Sequence, residues 1–198
     1  MTGPETGGNG ANAAGAAAFA PATVTEIGAD PAVAASATFS PDRTYRYALT
    51  RQWDGAVPPA VFVMLNPSTA TAFVTDPTVA RCAGFARREH CGGLVIVNLF
   101  ALRAIDPREL RQHPDPVGDG NDWFIREHCA PGRLVIAAWG AHGRLFARDQ
   151  AVLALLREAR ATVLCFGVTA GGMPRHPLYL PSGAQLGRYS PAGRRAAR

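Results

Sequence analysis

Three residues in this chain have the types and positions best suited to chemistry: Asn66, Asn98 and His176. Asn66 lies in Leu65-Asn66-Pro67-Ser68-Thr69, where Asn-Pro ends an apolar run sharply and the amide and hydroxyls offer both donors and acceptors. A hydrogen-bonded turn is the plainer use of the same residues. Asn98 opens Asn98-Leu99-Phe100-Ala101-Leu102-Arg103. An amide beside an aromatic suits base recognition, with the amide reading an edge and the Phe100 ring stacking. The alternative is a core Phe100 and a turn-capping Asn98. Arg103 suits a phosphate or a pairing with Asp106. His176 stands between Arg175 and Pro177 in a loop rich in Pro and Gly. There it suits donation to a developing negative charge, or simple packing.

A second group lies close to these in sequence. Gly140 and Gly143, after Trp139, permit close approach of backbone to a ligand. Asp76 caps a helix by its type and place, and as a carboxylate near Asn66 it is also a candidate base. Arg81 suits a surface ion pair or a phosphate. Asp115-Pro116-Val117-Gly118 and Asn121-Asp122 read as a turn and a cap.

These residues must be positioned by the elements that precede them. Ala34 to Phe39 and Tyr45 to Trp53 read as strands around the turn Ser40-Pro41-Asp42-Arg43. Ala60 to Leu65, Leu94 to Val97, Leu134 to Trp139 and Val163 to Phe166 are short apolar runs, as expected of strands buried on both faces. Helical patterns begin at Asp76-Pro77 and Asn121. A short helix is signalled by Asp106-Pro107-Arg108-Glu109, and a long one is carried by Leu145, Val152, Leu155 and Ala159. Strand and helix alternate, which predicts an α/β fold of three layers, α/β/α, around a mainly parallel central sheet. In such sheets ligands bind at the C-terminal strand ends, which is where Asn66, Asn98, Gly140 and the His176 loop fall.

Residues 1–30 are poor in bulky side chains and predict a disordered tail; 31–184 form the single domain, and 185–198 a basic tail with Arg188, Arg194, Arg195 and Arg198. The formal charge of +5 permits phosphate-bearing partners without requiring them. All 20 basic residues are Arg, which points to coding bias more than to function. The four cysteines form no C-x-x-C pair, so free thiols, a reducing cytoplasmic setting and no metal are expected. No apolar run reaches the roughly 20 residues of a membrane span, and no basic residue precedes Arg43 to begin a signal peptide. The expectation is a monomer without cofactor.

Several segments in order resemble the bacterial and phage domain-of-unknown-function family 1643. They are Val63-Met64-Leu65-Asn66-Pro67-Ser68-Thr69-Ala70, Asp76-Pro77-Thr78, Gly84-Phe85-Ala86-Arg87, Val97-Asn98-Leu99-Phe100-Ala101, Ala138-Trp139-Gly140 and Arg175-His176-Pro177-Leu178-Tyr179-Leu180. The match runs from about Tyr45 to Pro181. A more distant order, strand–Asn-Pro, strand–Asn, strand–Gly, then His-Pro, is similar to the uracil-DNA glycosylase superfamily. That similarity implies a uracil-DNA glycosylase-like fold and hydrolysis of an N-glycosidic bond. Asn66 would position water, Asn98 would recognise a base, His176 would stabilise the departing base, and Phe100 or Phe73 would stack. Nucleic acid or a nucleotide becomes the implied partner. One branch of that superfamily carries iron–sulfur clusters, but the cysteines here lie inside regular elements. The chain departs from the pattern at Met64, where the motif has Gly, at Ser68, and at Leu178, where Ser usually follows His-Pro. A protein that binds a nucleotide without turnover is the alternative, since an amide at Asn66 cannot take a proton.

Overall fold

The computed structural model describes residues 20–191. Eight strands form one sheet in the order β1-β2-β3-β5-β4-β6-β7-β8. They are β1 (Val24–Ile27), β2 (Ala34–Phe39), β3 (Arg46–Gln52), β4 (Pro59–Met64), β5 (Gly93–Asn98), β6 (Leu134–Ala137), β7 (Val163–Cys165) and β8 (Gly187–Arg188). Three α-helices join the parallel part: α1 (Pro77–Arg88), α2 (Asn121–His128) and α3 (Arg148–Glu158).

The expected mainly parallel sheet is corrected to a mixed one. β5-β4-β6-β7 are parallel, but β1-β2, β2-β3, β3-β5 and β7-β8 pair antiparallel, which is four of the seven pairings. The hairpin around Ser40–Arg43 extends the same sheet rather than standing apart from it. The part of the expected tail 1–30 that falls among the described residues carries β1, bonded along β2, and the stretch from 185 carries β8. Residues 1–19 and 192–198, including Arg194, Arg195 and Arg198, lie outside the described residues.

Helix starts follow the local chemistry. The Asp76 side chain accepts the Val79 N–H at 2.8 Å, with Pro77 in the first turn where its missing N–H costs nothing. Asp106 and Glu109 complete a capping box, but the segment Pro107–Arg111 is a 3-10 turn. Both faces of the sheet are covered. On one, Val79, Cys82, Phe85 and Ala86 of α1 pack on Phe62, Met64, Leu94 and Ile96; on the other, Ile125 of α2 and Val152 and Leu156 of α3 pack on Val61, Val63, Val95 and Val97. This alternation along β4 and β5 is what a strand buried on both faces requires.

From β4 the chain passes through α1 to β5 on one side, then through α2 to β6 on the other. The crossovers therefore change direction at β4, leaving a crevice between the C-terminal ends of β4 and β6, where open α/β sheets bind ligands.

Candidate functional site

A cavity of about 600 Å³ opens at that crevice, on the α1 side of the sheet. Each parallel strand or its following loop supplies part of the wall: Met64 at the end of β4 with Asn66 and Ser68 after it, Ile96 and Asn98 on β5, Trp139, Gly140 and His142 after β6, and Thr169 and His176 after β7. Asp76 and Thr78 enter from the start of α1, and Arg46 from the start of β3.

Asn98 reaches this wall because it continues the Leu94, Ile96 face of β5 and pairs in register with Met64. Its side chain is 1% exposed, and both Nδ2 and Oδ1 lack any hydrogen-bond partner. Its backbone is well held: Asn121 Nδ2 donates to the carbonyls of Asn98 and Leu99 at 3.0 and 3.1 Å. Asn66 is oriented by two donations from Nδ2, to Pro67 O at 2.9 Å and Ala104 O at 2.8 Å. Its Oδ1 remains as an acceptor for water or ligand.

Gly140 adopts φ +74°, which a side chain would strain, and its N–H donates to Pro174 O at 3.0 Å. That bond ties the end of β6 to the loop carrying His176. The His176 Nδ1 accepts the Leu178 N–H at 3.3 Å, so the neutral ring keeps its proton on Nε2. Burial pushes its pKa down from 6.5, while the Asp76 carboxylate opposes the shift. The ring therefore stays a neutral Nε2–H donor at physiological pH.

The same shift predicts a pH dependence. His128, half-buried, is likewise pushed down from 6.5 by desolvation. The unfolded chain takes up protons near 6.5 that the folded chain resists. Stability is thus full above that value and falls as pH drops below it. The urea midpoint should decline between pH 7.5 and pH 5, and His128→Gln/His176→Gln should flatten the decline. A midpoint that does not move in the wild type would contradict this.

Other expected residues lie elsewhere. Phe100 is fully buried and belongs to the core on the α2 and α3 face, not to the cavity wall, because it follows β5 on that side. Arg103 does not pair with Asp106: it donates to Arg43 O at 3.1 Å and lies over the Phe39 ring, while Arg108 takes Asp106. Arg81 donates to Leu180 O and stacks on Phe85. Pro67 is buried with its carbonyl bonded by Ala104 N–H, and Thr69 is exposed; neither lines the cavity. Phe73 is an exposed loop residue away from the wall. Among the described residues, no group of three or more His, Cys, Asp or Glu is placed to hold a metal ion, and no helix is long and apolar enough to cross a membrane.

Arg46 was not signalled by sequence pattern. Strict alternation would set it opposite to Leu49 and Arg51. A register shift between β2 and β3 at Thr38/Phe39 breaks the alternation. Tyr47 consequently stacks on Phe124 of α2, and Arg46 shares the cavity side with Arg51, donating to Ala70 O at 2.7 Å.

A family model described as "Protein of unknown function (DUF1643)" matches residues 46–178. The chain belongs to this family. The matched region of the DUF1643 chain begins at Arg46 and ends at Leu178, so it takes in every residue named above as lining the cavity. No curated protein and no solved structure matches the chain.

Proposed function

We propose that this DUF1643 protein recognises a nucleobase or nucleotide in the cavity, with Asn98 reading its edge. The observation that carries the proposal is the buried Asn98 amide, whose donor and acceptor are both unpartnered. Leaving such a group unsatisfied costs about 1–3 kcal/mol. A planar ligand with an adjacent acceptor and donor, as on a base edge, satisfies both atoms together. Cavities of roughly 300–1,000 Å³ suit ligands of this size, and the present one is about 600 Å³.

The reading extends to hydrolysis of an N-glycosidic bond, in a fold of uracil-DNA glycosylase type. What supports it is the company Asn98 keeps. Asn66 Oδ1 is free to accept from a water, Asp76 is a carboxylate able to take its proton, and His176 offers Nε2–H to the departing base. The four free thiols suit a reducing compartment such as the cytoplasm. Binding without turnover is favoured by two observations: the Asn66 amide cannot accept a proton, and one Asp76 oxygen already caps α1.

Calorimetric titration with nucleobases, nucleosides and nucleotides should give saturable binding that Asn98→Ala weakens at least about tenfold. Incubation with DNA carrying uracil, hypoxanthine or modified pyrimidines should yield abasic product that His176→Ala loses and His113→Ala retains. Binding with no product would leave the non-catalytic reading. No affinity for any nucleobase compound would remove both.

A further inference from the structure

The described residues include three arginines that are buried in the fold, and two of them are well satisfied. Arg148 pairs with Asp122 and donates to Leu99 O at 2.7 Å. Arg51 donates to the carbonyls of Thr50, Thr71 and Val74. Arg46 differs. It is 3% exposed, its Nε is buried without a partner, and its one side-chain bond is to Ala70 O at 2.7 Å. Among the described residues it forms no ion pair. It is also the one of the three that lines the cavity.

Burying an uncompensated cation costs several kcal/mol, so a guanidinium in this state is a poor structural choice. The surrounding charges make the need sharper. The Asp76 carboxylate acts favourably on Arg46 through space but does not contact it, while Arg51 and Arg103 add positive field at the same point. Desolvation pulls its pKa down to about 10, which leaves it charged at physiological pH.

We infer that the occupant of the cavity is an anion, carrying a carboxylate or phosphate group that Arg46 binds. The oxygens of such a group match the fork of N–H donors that the guanidinium presents. The inference rests on the reading of this cavity as the ligand site, but it does not require the ligand to be a nucleobase. The backbone explains why Arg46 can serve: the bulge in β3 sets it on the cavity side, and its N–H donation to Ala101 O at 2.9 Å holds it level with the end of β5. Anion and edge are then read together by Arg46 and Asn98, from neighbouring strands.

The test compares charged and neutral partners of matched shape. Uridine 5′-monophosphate is titrated against uridine, orotate against uracil, and benzoate and inorganic phosphate stand as anions without a nucleobase. Wild type should bind the anion of at least one pair about 30-fold more tightly than its neutral partner. The pair that shows the preference tells phosphate from ring carboxylate. Arg46→Met should reduce the preference to within about threefold, and Arg46→Lys should retain part of it. Without ligand, Arg46→Met should melt at or above the wild-type temperature, since it removes a buried unpaired cation. Equal affinity for charged and neutral members, no binding of any anion, or a preference that survives Arg46→Met would overturn the inference. A lower melting temperature in Arg46→Met would do the same, by making the residue a structural anchor for the Ala70 loop. Binding of benzoate or inorganic phosphate that depends on Arg46, without binding of either nucleobase pair, would uphold the inference and remove the nucleobase.

Discussion

Gly143→Ala is expected to lower the melting temperature by about 10 °C, whereas Gly84→Ala should raise it slightly. A Cβ at position 143 would lie 2.1 Å from Trp139 Cδ1 and 2.6 Å from Nε1, far inside contact distance. Trp139 cannot swing aside easily. It is 1% exposed, packs edge-on against Tyr189 at 5.6 Å, and borders the cavity. Overpacking of this kind costs about 1–3 kcal/mol or more, and each kcal/mol shifts the midpoint of a chain this size by roughly 2–4 °C. Gly84 stands in the α1 interior with nothing within 4 Å of its added Cβ, so alanine there gains helix propensity at no steric cost. The cause is checked by a double-mutant cycle. Trp139→Leu should cost stability alone, yet cost less in the Gly143→Ala background, because the ring that clashes is gone. Additive effects in thermal or urea unfolding would show that the Gly143–Trp139 contact is not the source.

Asn98→Leu should stabilise the ligand-free protein by about 2 kcal/mol while abolishing nucleobase binding. The sign follows from the surroundings. The amide is buried beside Met64 and Ile96 with neither polar atom paired, so an apolar side chain of similar shape removes an unmet need and adds contact. Asn121 is the control with the opposite sign. It is equally buried and its Oδ1 is likewise unpartnered, but its Nδ2 donates to the carbonyls of Asn98 and Leu99, and losing those two bonds should make Asn121→Leu cost about 1–3 kcal/mol. Urea unfolding of both variants separates the two kinds of buried amide. A loss of stability in Asn98→Leu would mean that Asn98 serves the fold, and the proposal built on its unpartnered amide would fall.

The parts of the fold that could be read from sequence were those set by local chemistry. Asp76-Pro77 and Asp106 with Glu109 mark helix starts through bonds made within a few residues, and the apolar runs of β4 to β7 follow from burial on two faces. The rule that open α/β sheets bind ligands at strand ends directs attention to Asn66, Asn98 and His176, and these three line one cavity. What was not legible depended on pairing between distant segments. Nothing in Val24–Ile27 distinguishes it from a tail, since its order comes from bonding to β2. The antiparallel half of the sheet was hidden for the same reason: two good strands do not state which third strand they join. Type and neighbourhood left Phe100 open between stacking and core, and the turn of chain after β5 decides it by sending the ring into the opposite core. Arg46 was missed because the alternation that normally assigns faces is interrupted beside it.

That interruption has a consequence for how the protein can change. The bulge opposite Thr38 and Phe39 works like a one-residue frameshift in the sheet: downstream of it each side chain keeps its face, upstream each is exchanged. Straightening the bulge, with Tyr47 drawn back into strict alternation, would carry the Arg46 cation to the α2 side and Tyr47 towards the cavity, with no substitution in the cavity wall itself. Gain or loss of this bulge is therefore a route by which one scaffold could exchange charged ligands for neutral ones.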